Sequence, residues 1–533
     1  MTNKVVRALV LLAVIGALAF RVARLDLRPM HADEANQAVK FGDLLERGQY
    51  RFDPQDHHGP TLYYLTLPAA WIAGDKTLAD LDERVLRLVP ALFGVALLLV
   101  LLLLGGGLSR EATLAAAVLA AVSPALTYYS RFYIQETLLV VFLAALIGTG
   151  WRYAHKRSLL WALAAGISAG LMIATKETSL ILIGALAAAF AALSLLEGVR
   201  TRWRGTVTRG ETWVWRDTRT KLPTAFHLAI FLAAAAAVAV VFYTSFFHNP
   251  RGLADLVRAI GVSFGRAGNP GVHAHPWVYY FQTLVYARTG SGPIWSEAFV
   301  LVLAAIGGLA ALGRDAGRNA SPRFLRFILF FTIITAGIYS AIPYKTPWNL
   351  LPFYLGLIIL AGHGTAWLLR VIRPKAAKAV LLILLVLGAA DLARQSYRAN
   401  FVLPADPSNP YVYAQTSPDL IKLVAAVDRA ALRSPEKQNI LVEVISPADE
   451  TWPLPWYFRK LERVGYWTSV EAAHRDVPAG RADVVIAGSA FAAQVAAELG
   501  DGYEQTFYGL RPEVVLALFV RRAPQASSSV FGL

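Results

Sequence analysis

Not one of the 533 residues is a cysteine. That excludes disulfides, thiolate nucleophiles and zinc–cysteine sites, so any domain outside the cytoplasm must hold together by packing alone. Charge is scarce as well: Asp, Glu, Lys and Arg make up 16% of the chain, against roughly a quarter in a soluble protein. Walker loops, dinucleotide fingerprints and nucleophilic triads are missing. The glycine-rich GGGLSR at 105–110 lacks a following strand and the GK[ST] ending of a phosphate loop. No repeat of solenoid period is visible. What is abundant is hydrocarbon: 56% hydrophobic residues and a mean hydropathy of +0.47 describe a chain surrounded mostly by lipid.

The net charge of +15 does not point to nucleic acid, because the basic residues alternate with hydrophobic segments. Charge-poor runs predict eleven membrane helices: 5–24, 88–109, 112–130, 137–151, 158–175, 178–196, 222–250, 298–313, 327–344, 346–369 and 379–390. A hydrocarbon core about 30 Å thick needs about 20 residues, so the shorter runs borrow flanking residues whose Lys and Arg side chains snorkel. The N-terminus reads either as a cleavable signal peptide, with an Ala17-Leu18-Ala19 triplet, or as an uncleaved anchor; the many spans that follow favour the anchor. With that end in the cytoplasm, Lys4, Arg7, Arg110, Arg152, Lys156 and Arg157 lie inside. So do seven cations in 197–221 and four each in 314–326 and 370–378. The short outer connections hold Arg131, Lys176 and Lys345, one each, an asymmetry that satisfies the positive-inside rule.

TLYYLTLPAAWIAG at 61–74 would be a twelfth span. Fourteen residues make a helix of only about 21 Å, and crossing would invert every later loop, so it reads as a helix lying on the outer membrane face. Three regions then face outward: 25–87, 251–297 and the chain beyond about 392. In the last, 439–445, 482–488 and 513–520 read as buried strands, and 418–432 and 489–499 as helices. The expected organisation is a polytopic α-helical membrane domain, 1–395, followed by a small extracytoplasmic α/β domain, 396–533, with a frayed end.

Candidate chemistry gathers on the outer side. Asp33 and Glu34 follow the first span by about ten residues, as either helix-capping acids or a general base and its neighbour. Arg131 and Glu136, Lys176 and Glu177, and Lys345 occupy connections where a short neutral turn would suffice. Together they predict cations and acids at one depth, suited to phosphate oxygens. His31, His57, His58, His273 and His275, half of the ten histidines, sit in the two outer loops. His57, His58, His273 and His275 are candidates for a divalent metal, although neither HHGP nor HAHP has a diagnostic ligand spacing. WPLPWYFRK at 452–460 suits core packing or docking on the bilayer better than stacking on a sugar.

With one span, an outer DE and a later HHGPTLYYLTLP, the first 395 residues resemble the GT-C membrane glycosyltransferases. The nearest resemblance is to the protein O-mannosyltransferases and aminoarabinose transferases of the family 39 type. YKTPWN and WPLPWYFRK are similar to a prokaryotic subgroup associated with flippase activity. The resemblance implies a GT-C fold in a prokaryotic cytoplasmic membrane, with inverting transfer of a sugar from a polyprenyl-phosphate donor to a protein, glycan or lipid acceptor. It implies Asp33 as base beside Glu34, with Lys345, Lys176 and Arg131 on the donor phosphate. His31, His57, His58, Glu136 and Tyr344 would line the active cavity. No cofactor is required by this chemistry, a divalent metal is compatible with it, and nucleic acid has no part. His58-Gly59-Pro60 stands where relatives have Lys-Pro-Pro, so one expected cation is replaced. The alternative is a non-catalytic binder of polyprenyl-phosphate sugars, or a component of a flippase-associated transporter. Transporters, however, set their charges at the midplane and show inverted repeats.

Overall fold

Within lipid, backbone N–H and C=O groups have no water to turn to, so a long apolar run must satisfy them internally as a helix. The computed structural model describes residues 3–55, 58–204, 224–269, 271–313 and 320–522. Eight helices there are long and apolar enough to cross a membrane: Lys4–Val22, Glu83–Leu104, Glu136–Lys156, Ser179–Val199, Ala225–Tyr243, Pro322–Ala341, Pro347–Val371 and Lys375–Val402. Leu159–Ile173 and Ala298–Leu312 are shorter apolar helices. Ten of the eleven anticipated runs therefore have a helical counterpart of their own, and the chain is an integral membrane protein.

The remaining run, 112–130, is broken. Arg110–Val122 ends at Ser123, whose backbone is extended and whose hydroxyl accepts from the Leu126 amide, and a second helix, Pro124–Tyr129, starts on Pro124. Proline suits a first helical turn because its missing N–H would be an orphan there in any case. The 61–74 segment forms Thr61–Ala73, closed by Gly74 in the left-handed region, and is too short to count among the spans.

Two units divide the chain: Met1–Leu25, Asp43–Lys76 and Asp82–Tyr413 form the first; Asp26–Gly42, Thr77–Leu81 and Ala414–Leu533 the second. In the first, the Ala298–Leu312 and Leu351–Val371 helices cross so closely that each needs a glycine. A Cβ on Gly307 would lie 2.0 Å from the Leu360 carbonyl oxygen, and one on Gly364 2.1 Å from that of Leu303. Small residues at such crossings let backbones pack directly, a main source of helix association in membranes.

The second unit is built on one sheet. Its strands are β1 Leu441–Ile445, β2 Arg463–Trp467, β3 Val484–Gly488, β4 Tyr503–Arg511 and β5 Val514–Arg521, in the order β2-β1-β3-β5-β4. β1 runs parallel to β2 and β3, while β5 is antiparallel to β3 and β4. On one face Val442, Val444, Val484, Ile486, Leu516 and Leu518 pack with Leu420, Leu423 and Val427 of the Asp419–Arg433 helix. On the other, Ile445, Val485, Ala487, Ala517 and Phe519 meet Val470 and Ala473 of the Val470–Asp476 helix and Val495 of the Ala492–Leu499 helix. The three strands expected from their apolar runs are present. β2 and β4 are additional, and both lie at sheet edges, where many of their side chains meet water and the apolar signal fades.

The second unit begins at 414 rather than 396, and it takes in two pieces of the first outer loop. Thr416 donates to the Met30 carbonyl at 2.7 Å and Gln415 to that of Pro29 at 3.0 Å. The Met30 amide donates to the Tyr457 hydroxyl at 2.9 Å, and Arg459 to the Leu81 carbonyl at 2.7 Å. WPLPWYFRK serves as core: Leu454, Trp456 and Phe458 are buried, and the Arg459 guanidinium lies 3.7 Å over the Trp456 ring.

Candidate functional site

In the second unit, His31 opens the Ala32–Arg47 helix. Its carbonyl accepts from the Ala35 amide, and its Nδ1 accepts from the Asp33 amide at 3.0 Å. Glu34, fully buried, turns back to accept from the His31 amide at 3.1 Å and from Arg28 at 3.0 Å. An acid three residues into a helix that returns to the cap residue's N–H closes a capping box, which satisfies amides that no carbonyl can reach. The geometry therefore gives Glu34 a capping task. Asp33, by contrast, keeps 51% of its side chain exposed, with an oxygen 3.9 Å from His31 Nδ1.

Three groups of candidates lie in the first unit. Arg131 donates to the carbonyls of Phe20, Arg21, Ala23 and Arg24 at 2.7–3.1 Å and lies 4.7 Å from the Phe401 ring centroid. It closes the C-terminal end of the first helix, where the last carbonyls have no intrahelical donor. Arg21 returns the service, donating to the carbonyls of Ala120 and Ala121 at the end of Arg110–Val122.

The second group surrounds the turn between Leu159–Ile173 and Ser179–Val199. The segment leading into Thr61–Ala73 runs flush against that turn. A Cβ on Gly59 would stand 2.2 Å from the Ala174 carbonyl oxygen, so only glycine fits. Next to it the Thr61 amide donates to that same carbonyl, and the Thr61 and Thr175 hydroxyls are 2.7 Å apart. This stitching sets the buried Lys176–Glu136 ion pair beside a contact between the partly exposed His58 ring and the buried Glu177 carboxylate, 2.9 Å apart. Glu136 Oε2 and Glu177 Oε1 are buried with no hydrogen-bond partner among the described residues. Burial alone would lower the Lys176 pKa, but Glu136 and then Glu177 outweigh it and hold the ammonium above the ordinary lysine value. Burial likewise works against charge on Glu177, and His58, a backbone amide and Lys176 together overcome it and lower the pKa.

The third group is a short antiparallel bridge. Ala274 pairs with Tyr344, the Lys345 amide donates to the His273 carbonyl, and the His275 amide donates to the Pro343 carbonyl. Lys345 is buried and directs Nζ to the carbonyls of His275 and Ile342; its desolvation lowers its pKa. His273 Nδ1 is 2.6 Å from the Tyr413 hydroxyl and its ring faces Tyr344. His275 stacks on Tyr279 with centroids 4.2 Å apart. Among the described residues no group of three or more His, Asp or Glu is arranged to hold a metal ion. His57 lies outside the described residues.

Two features escaped the sequence. The His58–Glu177 pair joins positions 119 apart. The other is Glu297, fully buried, whose carboxylate accepts from the Ser123 hydroxyl, the Ala125 amide and the Tyr354 and Tyr411 hydroxyls. A lone acid at the mouth of an apolar helix was its one signal. With four donors on it, Glu297 ties helix ends together rather than offering itself to a ligand.

No curated protein matches the sequence. Residues 66–207, which include Arg131, Glu136, Lys176 and Glu177, match the family model for dolichyl-phosphate-mannose-protein mannosyltransferase. Among solved structures the chain is similar to ArnT from Cupriavidus metallidurans bound to undecaprenyl phosphate, with TM-score 0.62 and 14% identity, covering 97% of this chain and 98% of that one. It is also similar to the archaeal oligosaccharyltransferase AglB from Archaeoglobus fulgidus in complex with an inhibitory peptide and a dolichol-phosphate. There the TM-score is 0.53 at 14% identity, over 94% of this chain and 72% of that one. A third likeness is to the arabinofuranosyltransferase AftD from Mycobacteria, TM-score 0.52 at 14% identity, over 98% of this chain and 40% of that one. The arrangement of apolar helices followed by a small terminal sheet unit is thus a fold the chain shares with these solved structures.

Proposed function

We propose that the protein is a membrane glycosyltransferase that takes a sugar from a polyprenyl-phosphate donor and passes it, with inversion, to an acceptor outside the cytoplasm. The observation that carries this reading is the buried Lys176–Glu136 pair, with Glu177 buried beside it and in contact with His58, at a turn between apolar helices. A lysine kept charged there suits a lipid whose tail stays in the bilayer while its phosphate reaches the boundary. The matched family and the ArnT complex with undecaprenyl phosphate support the same substrate class.

In this reading Asp33 removes the proton from an acceptor hydroxyl, and the freed oxygen attacks the anomeric carbon. The bond from that carbon to the phosphate oxygen breaks on the opposite side, its electron pair stays on the phosphate, and polyprenyl phosphate departs. Negative charge grows on the leaving group, where Lys176 and the remaining N–H of Lys345 stabilise it as it forms. Glu136 holds Lys176 in place, while Arg131 and Glu34 serve the helix ends. In this reading the N-terminus lies in the cytoplasm and the C-terminal end of the chain outside, which the distribution of Lys and Arg supports.

The test is transfer from polyprenyl-phosphate hexoses by the purified protein in proteoliposomes. Asp33→Asn is expected to lower turnover by about 100-fold or more, the range of a lost general base. Folding should be unchanged, because Glu34 and His31 complete the helix cap without the Asp33 side chain. Undiminished turnover in that variant removes Asp33 from the role of base. Binding of polyprenyl phosphate without any transfer replaces the enzyme by a non-catalytic binder.

A further inference from the structure

A cleft of about 370 Å³ runs along the first membrane helix. It is lined by Leu9, Gly16 and Phe20 of that helix, Leu114 and Val122 of Arg110–Val122, and Ala393 and Ser396 of Lys375–Val402. None of these helices carries Lys176, Glu136, Glu177 or Lys345, so the cleft is built from other elements than the donor site proposed above. Its polar groups are engaged within the protein: Ser396 donates to the Val122 carbonyl at 2.6 Å, and Arg21 to the Ala121 carbonyl at 3.2 Å. At Gly16 the wall stands open, since an added Cβ would meet no neighbouring element within 4 Å. Water finds no partners on such walls, and the solvent around them is hydrocarbon.

The dimensions of the cleft select its occupant. From Leu9 to Phe20 it extends about 16 Å at the helical rise, the depth of one leaflet in a hydrocarbon core about 30 Å thick. One end lies at the membrane boundary. Phe20 meets Phe401 edge-on at 5.1 Å, Phe401 touches Tyr397, and Tyr397 is 57% exposed, as a ring at headgroup level is. Two cations belong to that end: Arg24, exposed just past the first helix, and Arg394, next to Ala393 and bonded to Asp391 at 2.7 Å. A helix about 10 Å across would enclose about three times the volume of the cleft over that length. An acyl chain, whose carbons touch their neighbours at about 4 Å, is slim enough to enter. It would also supply packing that Lys375–Val402 lacks, because only 6% of the apolar stretch of that helix is buried in protein.

We propose that the cleft is a binding site for one acyl chain of a membrane glycerophospholipid, whose phosphate meets Arg24 at the boundary. The lipid is a structural ligand that fills the seam between the first helix and Lys375–Val402, not a substrate, so the site stands whether or not the protein transfers sugar. A chain in the cleft touches protein from three helices, whereas a lipid on a flat helix face touches one. Its phosphate gains a charge-assisted donor at the same time. The competing occupants are a helix from a second copy of the chain, which is too wide, and a polyprenyl tail, which is longer than one leaflet.

The experiment is native mass spectrometry of the full-length protein released from detergent micelles, with dioleoyl phosphatidylglycerol added back in steps. The wild type is expected to keep a single phospholipid per chain after loosely held lipid has been stripped. Gly16→Phe, which fills the cleft, should lower its affinity for the added lipid by about tenfold, the scale of about two buried methylenes. Gly184→Phe is the control: this glycine is also exposed with open space at its Cβ, but it lies on Ser179–Arg204, outside the cleft, and the variant should bind as the wild type does. Arg24→Gln should weaken binding by about fivefold, the worth of one basic residue at a lipid surface. If Gly16→Phe fails to fold, Ala393→Leu closes the cleft from the facing helix and decides in its place. Equal affinity in the wild type and the cleft-filling variant overturns the proposal. So does a retained mass that is a polyprenyl phosphate, or a wild-type dimer that Gly16→Phe converts to a monomer.

Discussion

Adjacent acids can serve opposite ends, and Asp33 and Glu34 do. They are the second and third residues of the same helix, yet one is half in solvent and the other is sealed between Arg28 and a backbone amide. Losing one partner of a buried pair strands the other without compensation, which costs about 3–5 kcal/mol. Glu34→Ala is therefore expected to lower the stability of the protein by that order, measured by thermal or denaturant unfolding in detergent, whereas Asp33→Asn leaves stability nearly unchanged. Equal unfolding curves for wild type and Glu34→Ala would contradict the capping box. The DE pair was legible as a site worth attention; which acid caps and which stays open was not, because that depends on Arg28 and the His31 backbone closing around one carboxylate. Arg131 teaches the same point, since its guanidinium is held by four carbonyls at and just beyond the end of a helix more than a hundred residues earlier.

At the scale of single elements, β1 carries a group at odds with its surroundings. Glu443 sits in the central parallel strand, 3% exposed, with Oε1 buried and unpaired among the described residues. Burial without a cation pushes its pKa up from 4.5 to about 7. The folded sheet thus keeps a proton that the unfolded chain gives up. Between those two values the folded state binds more protons than the unfolded one, so stability falls as pH rises through the window and levels off above about 7. Hydrogen exchange of the β1 and β3 amides in the whole protein should show protection decreasing over that interval after correction for intrinsic rates. Glu443→Gln is expected to flatten the trend, and an equally steep trend in that variant would assign it to another group. Nothing in NILVEVI marks this acid as buried on both sides. The alternation of β1 sends Glu443 to a face that the Val470–Asp476 helix covers, and that helix is decided far along the chain.

For the whole molecule, the lack of cysteine becomes a tool. Any cysteine introduced is the only thiol present, so its reaction with a membrane-impermeant maleimide reports one position. Ser489→Cys, at an exposed position after β3, is expected to be labelled from the outer side of intact cells, and Lys156→Cys, exposed at the end of the Glu136–Lys156 helix, only after the membrane is opened. The reverse pattern would invert the assigned orientation. The same scale shows a division of the chain that linear order hides. Segments 26–42 and 77–81 belong by their contacts with the unit formed from 414 onward, although they lie between membrane helices in the sequence.

Hydropathy alone sufficed for the membrane helices and for the terminal sheet unit. Each of these follows from what a short stretch does in lipid or water, and a local pattern records it. The partners of the charged residues had to await folding. His58 with Glu177, Lys176 with Glu136, Glu34 with its cap and Glu297 with its four donors are settled by buried electrostatics between segments that meet only when the helices pack, and a desolvated charge must pair with whatever the fold brings within about 3 Å.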